Sequence, residues 1–211
     1  MMTESTITTV TQLAANSADP ASFATAYFER LKSALDGIDV SEISRFAEEL
    51  NAARQEGRSI FVAGNGGSAT TATSMANDLG FDIIRKTATE MPFIVHSLTD
   101  NNAVLTAISN DVGYEDVFVN QLRVHYRSGD RLVLISASGN SPNIVRAAKW
   151  VKAAGGTVMS MVGFDGGALR DLSDIVVHVP SHPGEYGPVE DAHLAVNHVL
   201  AHWFQVRLRV R

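Results

Sequence analysis

The chain has 211 residues, 45% of them hydrophobic and 19% charged, with a formal net charge of −6 and no cysteine. That length supports one α/β domain with a sizeable core, and the composition excludes disulfides, thiol nucleophiles and thiolate metal sites. The acidic balance argues against nucleic-acid binding by bulk charge; no apolar run approaches the ~20 residues of a membrane span and no leader pattern opens the chain, so a cytoplasmic protein is expected.

Residues 1–18 read as a loose tail. Asp19-Pro20 opens a helix to about residue 35, with Phe23, Tyr27, Leu31 and Leu35 on one face. Ser41, as a possible cap, opens a second to about residue 54, stopped by Gly57. Strands are then expected at 59–63, 93–97, 131–135, 157–162 and 175–179. Helices are expected at about 69–79, 102–110, 114–124, 142–154 and 189–208. Five apolar strands separated by helices predict an α/β fold: a three-layer αβα sandwich around a five-stranded parallel sheet, one domain over 1–211, preceded by two N-terminal helices. Those two helices could complete the core or pair with a second subunit.

Two strand-to-helix turns carry the chemistry. Residues 136–143 read Ser-Ala-Ser-Gly-Asn-Ser-Pro-Asn, after an apolar strand and before a helix that Pro142 can open. Unpaired N–H groups and the positive end of that helix attract an anion, and Ser136, Ser138 and Ser141 add hydroxyl donors. Without a lysine or a GxxxxGK[ST] pattern, the loop suits a sugar phosphate better than a nucleoside triphosphate. Gly64-Asn65-Gly66-Gly67-Ser68 is a second such turn, with Asn65 and Ser68 as its polar side chains; taken alone it could equally be a plain turn. Both loops would lie at the carboxyl ends of strands, where open α/β sheets bind ligands.

Further along, Ser74 and Asp78 share a helix face, Asp78 reading as a base, a ligand or a solvated residue. Asp100 follows the second strand at its carboxyl end and reads as a cap for the helix that follows. Glu190, His193, His198 and His202 punctuate the last helix. His198 and His202 have the i, i+4 spacing of a shared metal, although packed or solvated histidines are commoner. Glu190 and His198 stand about 12 Å apart along an ideal helix, so one ion between them needs Glu190 outside the helix or a second subunit.

In combination, Gly64-Asn-Gly-Gly-Ser68, Leu98-Thr-Asp100, Ala107-Ile-Ser-Asn-Asp111, residues 135–142 and Glu190-Asp-Ala-His193 through His198 resemble the sugar isomerase (SIS) domain and, within it, the phosphoheptose isomerase subfamily. The resemblance covers nearly the whole chain. It implies a homotetramer with active sites at subunit interfaces, residues 20–56 serving oligomerisation. It implies a substrate phosphate held by Ser68, Ser136, Ser138 and Ser141, with Asn65, Asp100 and Glu190 also on the substrate. The implied reaction interconverts sedoheptulose 7-phosphate and D-glycero-D-manno-heptose 7-phosphate through an enediol, with Asp78 and His198 as acid–base pair. Many members hold zinc, here from Asp78, Glu190 and His198. The departures lie at the chemical end: Ser74 stands where the family has a histidine ligand, Asp78 where it has glutamate, Glu190 where it has glutamine, and Gly187 where it tends to have aspartate. The same resemblance allows a non-catalytic tetramer that binds a partner, as the related DiaA protein engages the replication initiator DnaA, and, last, a sugar-phosphate-sensing domain.

Overall fold

Apolar runs in the order strand, helix, strand build a sheet whose three central strands are buried on both faces. The computed structural model describes residues 9–209. The five strands β1 (Ser59–Gly64), β2 (Ile94–Ser97), β3 (Arg131–Ser136), β4 (Thr157–Val162) and β5 (Ile175–His178) pair in parallel in the order β2-β1-β3-β4-β5. Alternation along each strand divides the core. Ile60, Val62, Val133, Ile135, Met159 and Met161 face one layer of helices, and Phe61, Ala63, Leu132, Leu134, Val158 and Val162 face the other. Each large apolar side chain so buried contributes about 1.5–3 kcal/mol.

The first layer holds α3 (Val40–Gln55), α4 (Gly67–Met75) and α10 (Tyr186–Arg207); Phe46, Leu50, Met75, Leu200 and Phe204 plug it into the sheet. The second holds α7 (Val117–His125) and α8 (Pro142–Ala153), through Phe118, Leu122, Ile144 and Ala147. Helix α2 (Pro20–Asp36) lies against α10, where Arg30 Nε donates to Glu185 Oε1 at 2.9 Å and its Nη2 to the other oxygen, fixing the entry to α10. The three-layer expectation holds.

Several boundaries differ from expectation. The tail expected over residues 1–8 lies outside the described residues, but Val10–Asn16 form a helix, α1. Thr9 and Gln12 close a reciprocal capping box there, which satisfies N–H groups that a loose tail would leave to water. The second N-terminal helix starts at Val40, and Asp39 rather than Ser41 caps it: Asp39 Oδ1 accepts from both the N–H and the hydroxyl of Ser41. Likewise Asn101, not Asp100, caps α6 (Asn102–Asp111). Helix α4 does not run regularly to residue 79. It passes into a π turn, Ala76–Phe81, where Asp82 N–H donates to Asn77 C=O, five residues back, and continues as α5 (Asp82–Thr87). A single-turn helix, Tyr114–Asp116, precedes α7, and α9 (Gly167–Leu172) fills what reads in sequence as loop.

Candidate functional site

The order β2-β1-β3-β4-β5 reverses direction between β1 and β3, and the loops leaving those two strands are the two Ser/Gly turns. A crevice opens at such a reversal because the following helices pack on opposite faces. The loops are tied to each other across it. Asn65 Nδ2 donates to Asn143 Oδ1 and Asn143 Nδ2 to Asn65 Oδ1, both at 2.9 Å, and Tyr114 Oη adds a donor to Asn65 Oδ1 at 2.8 Å. Asn65 is thereby a strut between loops, with its carbonyl already engaged. Asn143 and Tyr114 are site residues that sequence reasoning missed. Their partner lies 78 and 49 residues away, and no local pattern marks such a pair.

In the loop after β3, Ser136 Oγ accepts from Gly139 N–H at 3.1 Å and Ser138 Oγ from Asn140 N–H at 3.3 Å. Both hydroxyl protons point away from those bonds and are available to an anion. Ser141 is the N-cap residue of α8, yet its side chain caps nothing; Pro142 has no N–H and Ile144 N–H already donates to Asn143 Oδ1, so the Ser141 hydroxyl and Asn143 N–H are the donors this helix start offers an anion. Gly139 has φ +63°, and a Cβ there would meet Gly166 C=O at 1.9 Å, so a side chain is excluded on two counts. Ser68 is buried in the first turn of α4.

Helices α4 and α10 both start at this edge and run alongside each other. They touch at two levels. At the upper level Glu190 lies against Gly67, where an added Cβ would come within 2.1 Å of Glu190 Oε2. Burial, reinforced by the neighbouring Asp191 charge, raises the Glu190 carboxyl above the usual carboxylate range. At the lower level Asp78 Oδ2 is 3.8 Å from His198 Nε2 and accepts from Asn197 Nδ2 at 2.7 Å. Asp78 lies ten residues beyond Ser68, about 15 Å along a helix, so the phosphate loops and the Asp78–His198 pair are the two ends of an elongated site.

The structure therefore brings Asp78 to His198, and Asn65 to the loop that carries Ser136, Ser138 and Ser141. It does not bring Glu190 to Asp78 and His198, because all of α10 from Tyr186 is helical and the two levels stay two turns apart. No group of three or more His, Cys, Asp or Glu side chains able to hold a metal converges among the described residues. The expected zinc set of Asp78, Glu190 and His198 thus does not converge within one chain, and His198 and His202 gain no third such ligand among the described residues. Asp100 is exposed on the rim of a different cavity of about 410 Å³ beside β2, lined by His96, Gln121 and His125. At Gly187 a Cβ would lie 2.8 Å from Tyr27 Oη, which reaches across to donate to Asp191 Oδ2 at 2.6 Å. His193 is fully buried, and burial lowers its pKa to about 4, so it packs as a neutral ring.

Comparison with known proteins agrees with this fold. The SIS domain family matches residues 25–163. A phosphoheptose isomerase of Rhodospirillum rubrum is 34% identical over 158 residues, 75% of this chain and 81% of that protein. One from Mycobacterium tuberculosis is 36% identical over 166 residues, 79% and 82%. Among solved structures, the phosphoheptose isomerase GmhA from Neisseria gonorrhoeae superposes with a TM-score of 0.76 at 30% identity, covering 87% of this chain and 97% of its own. A Francisella tularensis phosphoheptose isomerase, at 24% identity and a TM-score of 0.78, shares the fold over 88% of this chain and 98% of its own.

Proposed function

The chain belongs to the SIS domain family, and from that membership and the geometry above we propose that it is a phosphoheptose isomerase, interconverting sedoheptulose 7-phosphate and D-glycero-D-manno-heptose 7-phosphate. The observation that carries the reading is the meeting of Asp78 and His198, at 3.8 Å, at the far end of a crevice headed by the serine loop. Aldose–ketose isomerisation needs a base at carbon and an acid at oxygen, side by side. Asp78 takes a proton from C1 of the ketose. The C1–C2 double bond of the enediol forms as the carbonyl electrons move to oxygen, and His198 protonates that oxygen. Asp78 then returns its proton to C2 while the O1 proton leaves to His198, giving the aldose. Ser68, Ser136, Ser138 and Ser141 with the N-terminus of α8 hold the phosphate.

No step is assigned to zinc, since Glu190 stands apart from Asp78 and His198 within one chain. The assembly reading is a homotetramer that closes its sites between subunits. An exposed apolar face on α3 and α10 supports it, with Val40, Val199 and Trp203 at least half exposed, around a groove of about 660 Å³. No helix among the described residues is long and apolar enough to cross a membrane; a phosphorylated sugar substrate supports the cytoplasm as its compartment.

The test is NMR of sedoheptulose 7-phosphate incubated with chelator-treated and with zinc-supplemented protein, and light scattering of the eluted species. The expected result is aldose formation in both samples and a tetrameric mass. No aldose in either sample would overturn the isomerase reading in favour of a partner-binding SIS protein. Activity confined to the zinc sample would restore a metal built from two chains.

A further inference from the structure

Asn197 is fully buried on α10, and its side-chain Oδ1 finds no hydrogen-bond partner among the described residues. A buried amide half satisfied in this way is a net burden on stability, and an apolar side chain of similar volume would remove it. What the amide does make is one short bond, Nδ2 to Asp78 Oδ2 at 2.7 Å. That oxygen is the one 3.8 Å from His198 Nε2. The other, Oδ1, accepts from the neighbouring Asn77 Nδ2 at 3.0 Å. Asp78 itself stands on the π turn Ala76–Phe81; such turns are frequent at functional sites.

We propose that Asn197 is the positioning residue for Asp78: it holds the carboxylate against α10, at the level of His198, so that a short aspartate side chain meets the reacting carbon in one orientation. The proposal rests on the isomerase reading, in which Asp78 is the base. Its physical content is simple. An aspartate with 18% of its side chain exposed can turn to water, and the buried amide removes that option by occupying one lone pair of Oδ2. With one bond from Asn197 and one from Asn77, the carboxylate keeps lone pairs for the substrate. A misplacement of about 1 Å at a reacting group can cost on the order of 10²-fold in rate, so this one bond is enough to set kcat.

The experiment compares wild type, Asn197→Leu, Asp78→Asn and the double variant. Asn197→Leu is expected to lower kcat roughly 10- to 100-fold with KM within about twofold, and to leave the thermal midpoint unchanged or raised. Added to Asp78→Asn it is expected to lower kcat no further, because it acts through that carboxylate. An unchanged kcat in Asn197→Leu, or fully additive losses in the double variant, would overturn the proposal. Crystal structures of wild type and Asn197→Leu read the same geometry without substrate. In the variant the Asp78 carboxylate is expected to leave its place against α10, and an unmoved carboxylate overturns the proposal. Absence of wild-type turnover counts against the isomerase reading alone, and the position of the Asp78 carboxylate then decides the positioning.

Discussion

Asn65, on the loop after β1, and Asn143, in the first turn of α8, exchange amide hydrogen bonds at 2.9 Å in both directions. Asn143 is buried and also accepts from Ile144 N–H at 2.9 Å, so its carbonyl serves the helix start and the partner loop at once. Asn143→Leu leaves the Asn65 amide without that partner in a half-buried place, a penalty of about 1–3 kcal/mol. The expected result is a lower urea midpoint and a raised KM, as the two loops lose their common reference. An unchanged KM in steady-state kinetics would show that the loops align without the strut.

His198→Ala should abolish turnover and leave the fold intact. The ring is more than half exposed, so little packing is lost and the stability change is expected within about 0.5 kcal/mol. Turnover measured beside a denaturation curve checks both halves. Activity near wild type would remove the imidazole from the mechanism.

Ser138→Ala should act on binding. Its oxygen already accepts from Asn140 N–H at 3.3 Å, so its proton is the group free for the phosphate. Loss of one hydrogen bond to a charged group is worth roughly 1.5–3 kcal/mol, or about 10- to 150-fold in apparent affinity. Sugar-phosphate titration by calorimetry measures it, and kcat at saturation should change far less.

His193 makes stability depend on pH. Burial lowers its pKa from 6.5 to about 4, so the unfolded chain takes up the proton first. This contribution is fully present above pH 6.5 and is lost as pH falls towards 4, amounting to about 2 kcal/mol between pH 7 and pH 5. Urea midpoints at those two pH values should fall closer together in His193→Leu than in wild type. An equal spread in the two proteins would assign the acid sensitivity elsewhere.

The layered sheet was legible in the sequence because each of its strands is an apolar run closed by a turn. Pro142 marks the start of α8 for the same kind of local reason. The candidate acid–base pair was legible only through resemblance to a family, since nothing local joins Asp78 to His198 across 120 residues. Thr9 and Gln12 carry a local signal, the spacing of a capping box, but the residues around it have the composition of a tail. The π turn was illegible on principle: Ala76–Phe81 has no composition that separates five-residue from four-residue hydrogen bonding. Asn143 and Asn197 look like any helical asparagine until the fold supplies Asn65 and Asp78 as their partners.

The π turn carries a consequence of its own. Successive residues on a helix are about 100° apart, so the direction in which Asp78 points is set by how many residues lie between Gly67 and Asp82, not by what most of them are. Removing one residue from Ala76–Phe81 would restore ordinary helical winding and swing the carboxylate off the α10 side, while leaving the polar inventory of the crevice intact. For this stretch, a change in length is the severe lesion and a change in spelling the mild one.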